Sequence, residues 1–280
     1  LTLEIAVIGA GAMGSAIGRR LVENGARVVT YLEGRSASTI ERAKAAGMGA
    51  VNLAAIAASR LILSIVPPAE AVSVARQIAI ELRRSGSKTT FIDCNAISPK
   101  TMAEVAAIFG SDCGVVLDGC IIGGPPKPGQ KGPKLYVSGD TANNSGVLVE
   151  HGLQVRRIDG PLGAASALKM CYAGINKGVT GLGTAMLLAA IHSGADAALK
   201  RELQESLPDL DAKFAHGIPD MYPKAYRWIA EMEEISDFLG EDDPAALIFK
   251  GMAGLYRKMA SDREDGGLLA GRLDKLNNAG

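Results

Sequence analysis

The chain has 280 residues, 48% of them hydrophobic but only 4% aromatic. That is enough for one large or two medium domains with cores of Ala, Val, Ile and Leu. Thirty basic side chains balance thirty acidic ones, which argues against a nucleic-acid or anionic-membrane partner. The longest apolar run, 179–191, is too short to span a bilayer. Cys94, Cys113, Cys120 and Cys171 have no C-x-x-C spacing, so a cytoplasmic chain without a metal framework is expected.

The first strand is predicted at 3–8, with no targeting segment expected ahead of it. It runs directly into Gly9, Gly11, Ala12, Met13 and Gly14 and a helix over 12–24. In this G-x-G-x-x-G turn the first glycine permits the tight bend. The second lets a pyrophosphate approach the backbone, and the third lets the helix pack on the strand. The helix N-terminus offers free N–H groups and a positive dipole end to the anion. A dinucleotide cofactor is therefore expected.

A second strand, 27–32, ends at Glu33, where a ribose-binding acid would sit and would favour NAD. Gly34, Arg35 and Ser36 follow, ahead of a helix at 37–46 whose Ser38 and Glu41 have capping-box spacing. A guanidinium, a hydroxyl and a helix start together suit the 2′-phosphate of NADP. NADP is accordingly preferred over NAD, with Glu33 turned away or paired with Arg35.

Further strands are predicted at 61–66, 90–93, 115–118, 134–138 and 154–158. They alternate with helices at 68–84, opened by Pro68, at 99–109, capped by Ser98 ahead of Pro99, and at 141–151. This alternation predicts an α/β domain over 1–160, a doubly wound, mostly parallel sheet. Residues 161–280 read as an all-α domain: one unbroken helix at 164–193, then 197–206, 209–215, 221–239, 244–261 and 266–277. Gly174, Gly178 and Gly181 weaken the long helix unless a neighbour approaches its backbone closely. A homodimer formed through that interdomain helix is expected. Met221, Tyr222, Tyr226, Trp228 and Met232 suggest a core or interface stripe, or the wall of an apolar pocket.

Lys169, Tyr172 and Asn176 are spaced i, i+3 and i+7, so they share one face of a largely apolar helix. Such a stripe is costly to bury unless it lines a cleft, here one between the two domains. A lysine desolvated there would have a lowered pKa and could act as general acid or base. Tyr172 could orient the same oxygen or act as an alternative acid. Lys127, Lys131 and Lys134 are read as a solvated loop.

Five stretches occur in order: GAGAMGSAIGRRLVENGARVVTY, SIVPP (64–68), DCNAISPKT (93–101), LDGCIIGGP (117–125) and GPLGAASALKMCYAGINKG (160–178). Together they resemble the β-hydroxyacid dehydrogenase and 6-phosphogluconate dehydrogenase superfamily, which includes imine reductases. The likeness is greatest to a branch with a YLEGRS second strand and a phosphogluconate-dehydrogenase-like C-terminal domain. The resemblance implies a Rossmann domain with cofactor contacts at Val66 and Pro67. It implies that Asn95 lies near the nicotinamide or the substrate. It matches Gly123 and Gly124 to a glycine pair whose backbone approaches the substrate, and Lys169 to the catalytic lysine. Ile122 stands where hydroxyacid dehydrogenases carry a serine for the substrate carboxylate. Tyr172 and Ala173 replace Asn-Asn or His-Asn, and Asn176 replaces a glutamate. These departures point away from ordinary 3-hydroxyacids and from decarboxylation of phosphogluconate. The expected function is an NAD(P)-dependent oxidoreductase acting on a small alcohol or carbonyl substrate. The alternatives are an imine reductase and a non-catalytic NADP-binding sensor.

Overall fold

The computed structural model describes residues 4–127, 130, 132–139 and 142–277; Lys131 lies outside them. Residues up to Met170 form one compact unit and those from Cys171 a second. The division falls inside a helix because its first turns are hydrogen-bonded to the sheet, through Ser166 and Lys169.

In the first unit the strands are β1 (Glu4–Ile8), β2 (Arg27–Thr30), β3 (Gly49–Ala50), β4 (Leu61–Ser64), β5 (Thr89–Asp93), β6 (Gly114–Ile122), β7 (Lys134–Ser138) and β8 (Gln154–Arg157). They form a sheet in the order β3-β2-β1-β4-β5-β6-β7-β8. Neighbours are parallel except β6 and β7. Between them run α1 (Ala12–Glu23), α2 (Ala37–Ala45), α3 (Leu53–Ala57), α4 (Ala71–Ser85), α5 (Pro99–Phe109) and α6 (Gly146–Glu150). The two-residue strand period splits the core. Ile5, Val7, Leu61 and Leu63 pack with Ile17 and Leu21 on one face. Ala6, Ile8 and Ile62 pack with Ile78, Phe91 and Phe109 on the other. Central strands covered on both faces read as unbroken apolar runs, and the doubly wound parallel architecture is the one the sequence predicts.

Local differences have local causes. β3 is a two-residue, exposed Gly-Ala strand without a hydrophobic signature. The helix behind it, α3, is announced only by Asn52, whose Oδ1 accepts from the Ala55 N–H at 2.9 Å. β6 runs on to Ile122, beyond its predicted end, because Gly119–Ile122 pair with β7. Pro68 opens a 3₁₀ turn through Glu70, and the α-helix starts only at Ala71. The cap of α2 is Ser36 rather than Ser38; its Oγ accepts from the Thr39 N–H.

The second unit contains the greater part of α7 (Ala164–Ser193), unbroken as predicted, and then α8 (Asp196–Ser206), α9 (Pro208–Met221), α10 (Ala225–Leu239), α11 (Pro244–Glu264) and α12 (Leu268–Asn277). α9 continues through Pro219 instead of stopping at 215. That proline removes one intrahelical N–H near the helix end, and buried Ile218 and Met221 anchor the turn around it. The α7 glycines have a partner in their own chain. Gly174 lies against Phe249 and Ile235, Gly178 against Phe249, and Gly181 against Met252 and Tyr256. The glycine signal therefore reports intrachain packing and is no evidence for a second subunit. Met221, Trp228 and Met232 are buried in this core, with Trp228 edge-on to Tyr256 at 5.2 Å, while Tyr226 is exposed.

Candidate active site

Parallel strands deliver their carboxyl ends to one edge of a sheet, and ligands bind in the crevice outside that edge. Along this edge β1, β4, β5 and β6 are consecutive, so the segments that follow them meet although they are far apart in sequence.

At the end of β1, Gly9 has φ +95°, a left-handed conformation that favours glycine, and a Cβ there would overlap the Ile65 carbonyl. A Cβ on Gly14 would overlap the Gly9 carbonyl oxygen, whereas one on Gly11 would meet only open space. The turn is therefore close-packed underneath and approachable at Gly11. The helix starting there has no side-chain cap and no acid in its first turn. The N–H groups of Ala12, Met13 and Gly14 precede its first backbone bond, Ser15 N–H to Gly11 O at 3.0 Å. This cradle fits a dinucleotide pyrophosphate.

After β2, the Tyr31 hydroxyl donates to Glu33 at 2.8 Å. Arg35 pairs with Glu70 at 3.0 Å, so Glu33 is not its partner. The Ser36 Oγ lies 3.1 Å from the Ser38 hydroxyl and 3.0 Å from that of Thr39. Arg42, which sequence reasoning passed over, reaches the glycine turn and donates to the Ala10 carbonyl at 3.3 Å. Its role depends on α2 lying beside that turn, which no local pattern reveals.

The segments after β4 and β5 are joined by Asn95. Its Oδ1 accepts from the Val66 N–H at 2.6 Å. Its Nδ2 donates to Ser64 Oγ at 3.0 Å and to Asp93 Oδ2 at 2.9 Å. Both amide hydrogens are thus taken, and Asn95 holds the Val66–Pro67 segment in place rather than offering a free donor. Asp93 is fully buried, and loss of hydration pushes its carboxyl up to about 7 against the opposing hydrogen bonds from Asn95.

At the end of β6, Ile122 is half-buried and Gly123 has φ +120°, its missing Cβ facing Pro133. Gly123 and Gly124 are exposed. Asp118, buried and raised in pKa mainly by desolvation, accepts from Ser166 at the start of α7. Lys169 lies one turn on. Its Nζ donates to the Ile121 carbonyl at 2.8 Å, and burial lowers its pKa from the usual lysine value. Lys169, on α7, is therefore tied to the carboxyl end of β6, the neighbour of β5, which Asn95 follows. Tyr172 and Asn176 are exposed residues of the second unit. Lys127 is exposed, and Lys134 opens β7. The buried acids Asp93 and Asp118 were not singled out from sequence; an aspartate at a strand end carries no signal until its partners are known.

Residues 4–147 match the family described as the NAD binding domain of 6-phosphogluconate dehydrogenase. The chain belongs to this dehydrogenase family. Its membership makes it an NAD(P)-dependent oxidoreductase. Residues 190–259 match a domain of unknown function, DUF1932. Among solved structures, the conserved protein MTH1747, described as similar to 3-hydroxyacid dehydrogenases, is 28% identical with a TM-score of 0.76, covering 94% of this chain and 99% of its own. Mycobacterium tuberculosis 3-hydroxyisobutyrate dehydrogenase with L-serine is 19% identical with a TM-score of 0.75, covering 100% and 99%. An imine reductase variant from Myxococcus stipitatus in complex with NAD+ is 16% identical with a TM-score of 0.56, covering 98% and 100%. No curated protein matches the chain. Among the described residues no helix is long and apolar enough to cross a membrane.

Proposed function

We propose that this family member is a dehydrogenase of the β-hydroxyacid type, interconverting a small alcohol and its carbonyl compound, with Lys169 as general acid and base. The observation that carries the reading is the desolvated Lys169 ammonium at the end of β6, 2.8 Å from the Ile121 carbonyl and beside the Gly123–Gly124 turn. When bound, the nicotinamide supplies or takes the hydride. In reduction the Lys169 Nζ gives its proton to the substrate oxygen as charge develops there; in oxidation it takes that proton back. Its lowered pKa eases both directions. Asn95 keeps the Val66 segment in register, and Gly123 and Gly124 leave room for substrate against the backbone.

NADP is the proposed cofactor. Arg35 offers a guanidinium beyond the end of β2, and the carboxylate that would favour NAD, Glu33, is engaged by Tyr31. Ile122, apolar where a carboxylate-binding serine would stand, favours a second reading, reduction of a cyclic imine with Lys169 in the same role. A panel of small 3-hydroxyacids, aldehydes, ketones and cyclic imines, followed by NADPH absorbance, separates the two. Turnover confined to imines transfers the assignment to the second reading, and turnover on none of them removes both.

Assembly as a homodimer through α7 in a cytoplasmic setting belongs to the same proposal. Its support is the exposed apolar series Tyr172, Ile175, Leu182 and Met186 on that helix and four cysteines that are all free.

A further inference from the structure

The ion pair between Arg35 and Glu70 has an unusual path for so short a contact. Arg35 follows β2 and Glu70 follows β4. The sheet order places β1 between those strands, and all three run parallel. The pair, Arg35 to Glu70 Oε2 at 3.0 Å, therefore passes over the carboxyl end of β1, across the crevice in which the glycine turn receives the dinucleotide. Neither partner is locked, since their side chains are 30% and 42% exposed. A solvent-screened pair of this kind is weak, while an arginine–phosphate contact is among the strong charge-assisted hydrogen bonds. The other acid near Arg35, Glu33, is held by the Tyr31 hydroxyl, which leaves Glu70 as the ion-pair partner of the guanidinium.

We infer that Glu70 is a specificity-determining residue: its carboxylate competes with the ribose 2′-phosphate for Arg35 and so restrains the preference for NADP over NAD. This rests on the reading of Arg35 as the phosphate ligand. NADP binding draws the guanidinium toward the phosphate and leaves a carboxylate close to a second anion, a repulsion that NAD does not meet.

The Glu70→Gln variant separates charge from geometry. Glutamine keeps an acceptor for Arg35 and removes the negative charge. Titration calorimetry of the full chain with NADPH and with NADH, at low and high salt, reads the effect. For Glu70→Gln, NADPH binding is expected to tighten about five-fold at low salt, with the gain shrinking at high salt, and NADH binding to stay within about two-fold. Arg35→Met in the same titrations is expected to weaken NADPH at least about ten-fold and to spare NADH. An unchanged NADPH-to-NADH ratio in Glu70→Gln, or weaker NADPH binding, overturns the proposal. If Arg35→Met shifts the ratio and Glu70→Gln does not, only the role of Glu70 is lost. If neither variant shifts it, the phosphate-ligand reading fails as well.

Discussion

The Asp118 carboxylate accepts two hydrogen bonds from Ser166, one from its Oγ at 2.6 Å and one from its backbone N–H at 2.8 Å. This fixes the first turn of α7 to β6. Three residues further on, the same helix returns to the same strand when Lys169 donates to Ile121. The lysine is thus held at its root by Asp118 and at its tip by a strand carbonyl, and its position depends on an acid it does not touch.

Asp118→Asn tests that dependence. An amide can accept on one side only, so a Ser166 donor or the new NH₂ is left without a partner in a buried site. The expected cost is about 1–3 kcal/mol of stability, read by denaturant unfolding. If Asp118 positions the lysine, kcat falls more than KM changes; a pure stability defect with native kcat would assign it to the fold alone.

Lys169→Met removes the proton donor while retaining much of the buried stem. Turnover is expected to drop by roughly 10²–10⁴, with dinucleotide affinity within a few-fold of the parent. Single-turnover absorbance and equilibrium fluorescence measure the two separately. Retention of full turnover would falsify the acid–base role.

Gly11 and Gly14 should respond differently to alanine. At Gly14 the added carbon overlaps the Gly9 carbonyl, and overpacking of this kind costs about 1–3 kcal/mol or more, so Gly14→Ala melts lower. At Gly11 the carbon has room within the protein. Gly11→Ala keeps its melting temperature but obstructs the phosphates, and its dinucleotide affinity falls by at least about ten-fold.

Asp93 makes stability pH-dependent. Its carboxyl is raised to about 7 in the folded chain, against about 3.9 when unfolded. Between those values the folded chain binds more protons than the unfolded one. This contribution is complete below pH 4 and is lost as pH rises through 7, at up to about 1.4 kcal/mol per unit. Asp118, also raised, acts in the same direction, and Lys169, lowered, acts in the opposite one at alkaline pH. In thermal melts from pH 5 to 8 the parent should fall relative to Asp93→Asn as pH rises, because the asparagine stays neutral while the buried carboxyl ionises. Parallel pH profiles would show that Asp93 carries no such term.

Ile175→Glu with Met186→Glu places two charges on the exposed apolar series of α7. A dimeric parent and a monomeric double variant, by light scattering at equal concentration, are the expected result. A monomeric parent at micromolar concentration contradicts the dimer.

The nucleotide turn was legible because it is local. Strand, glycine spacing and helix start occupy ten consecutive residues, and steric rules act on each one directly. The α7 glycines were legible as close approaches, but their neighbours were not: Phe249 and Tyr256 lie some seventy residues downstream, where no periodicity points back to them. Asn95 was identified, yet its function as a brace for Val66 was not, since that depends on β4 and β5 being adjacent.

Alternating periods and turn chemistry thus determined the parallel α/β domain, the helical half that follows and the dinucleotide cradle, because each depends on interactions within a few residues. The sites of Asp93, Asp118, Arg42 and Glu70 were decided only when the sheet ordered its strands. That order fixes which carboxyl ends become neighbours, and the energy of a buried or bridging charge depends on the partner it finds there.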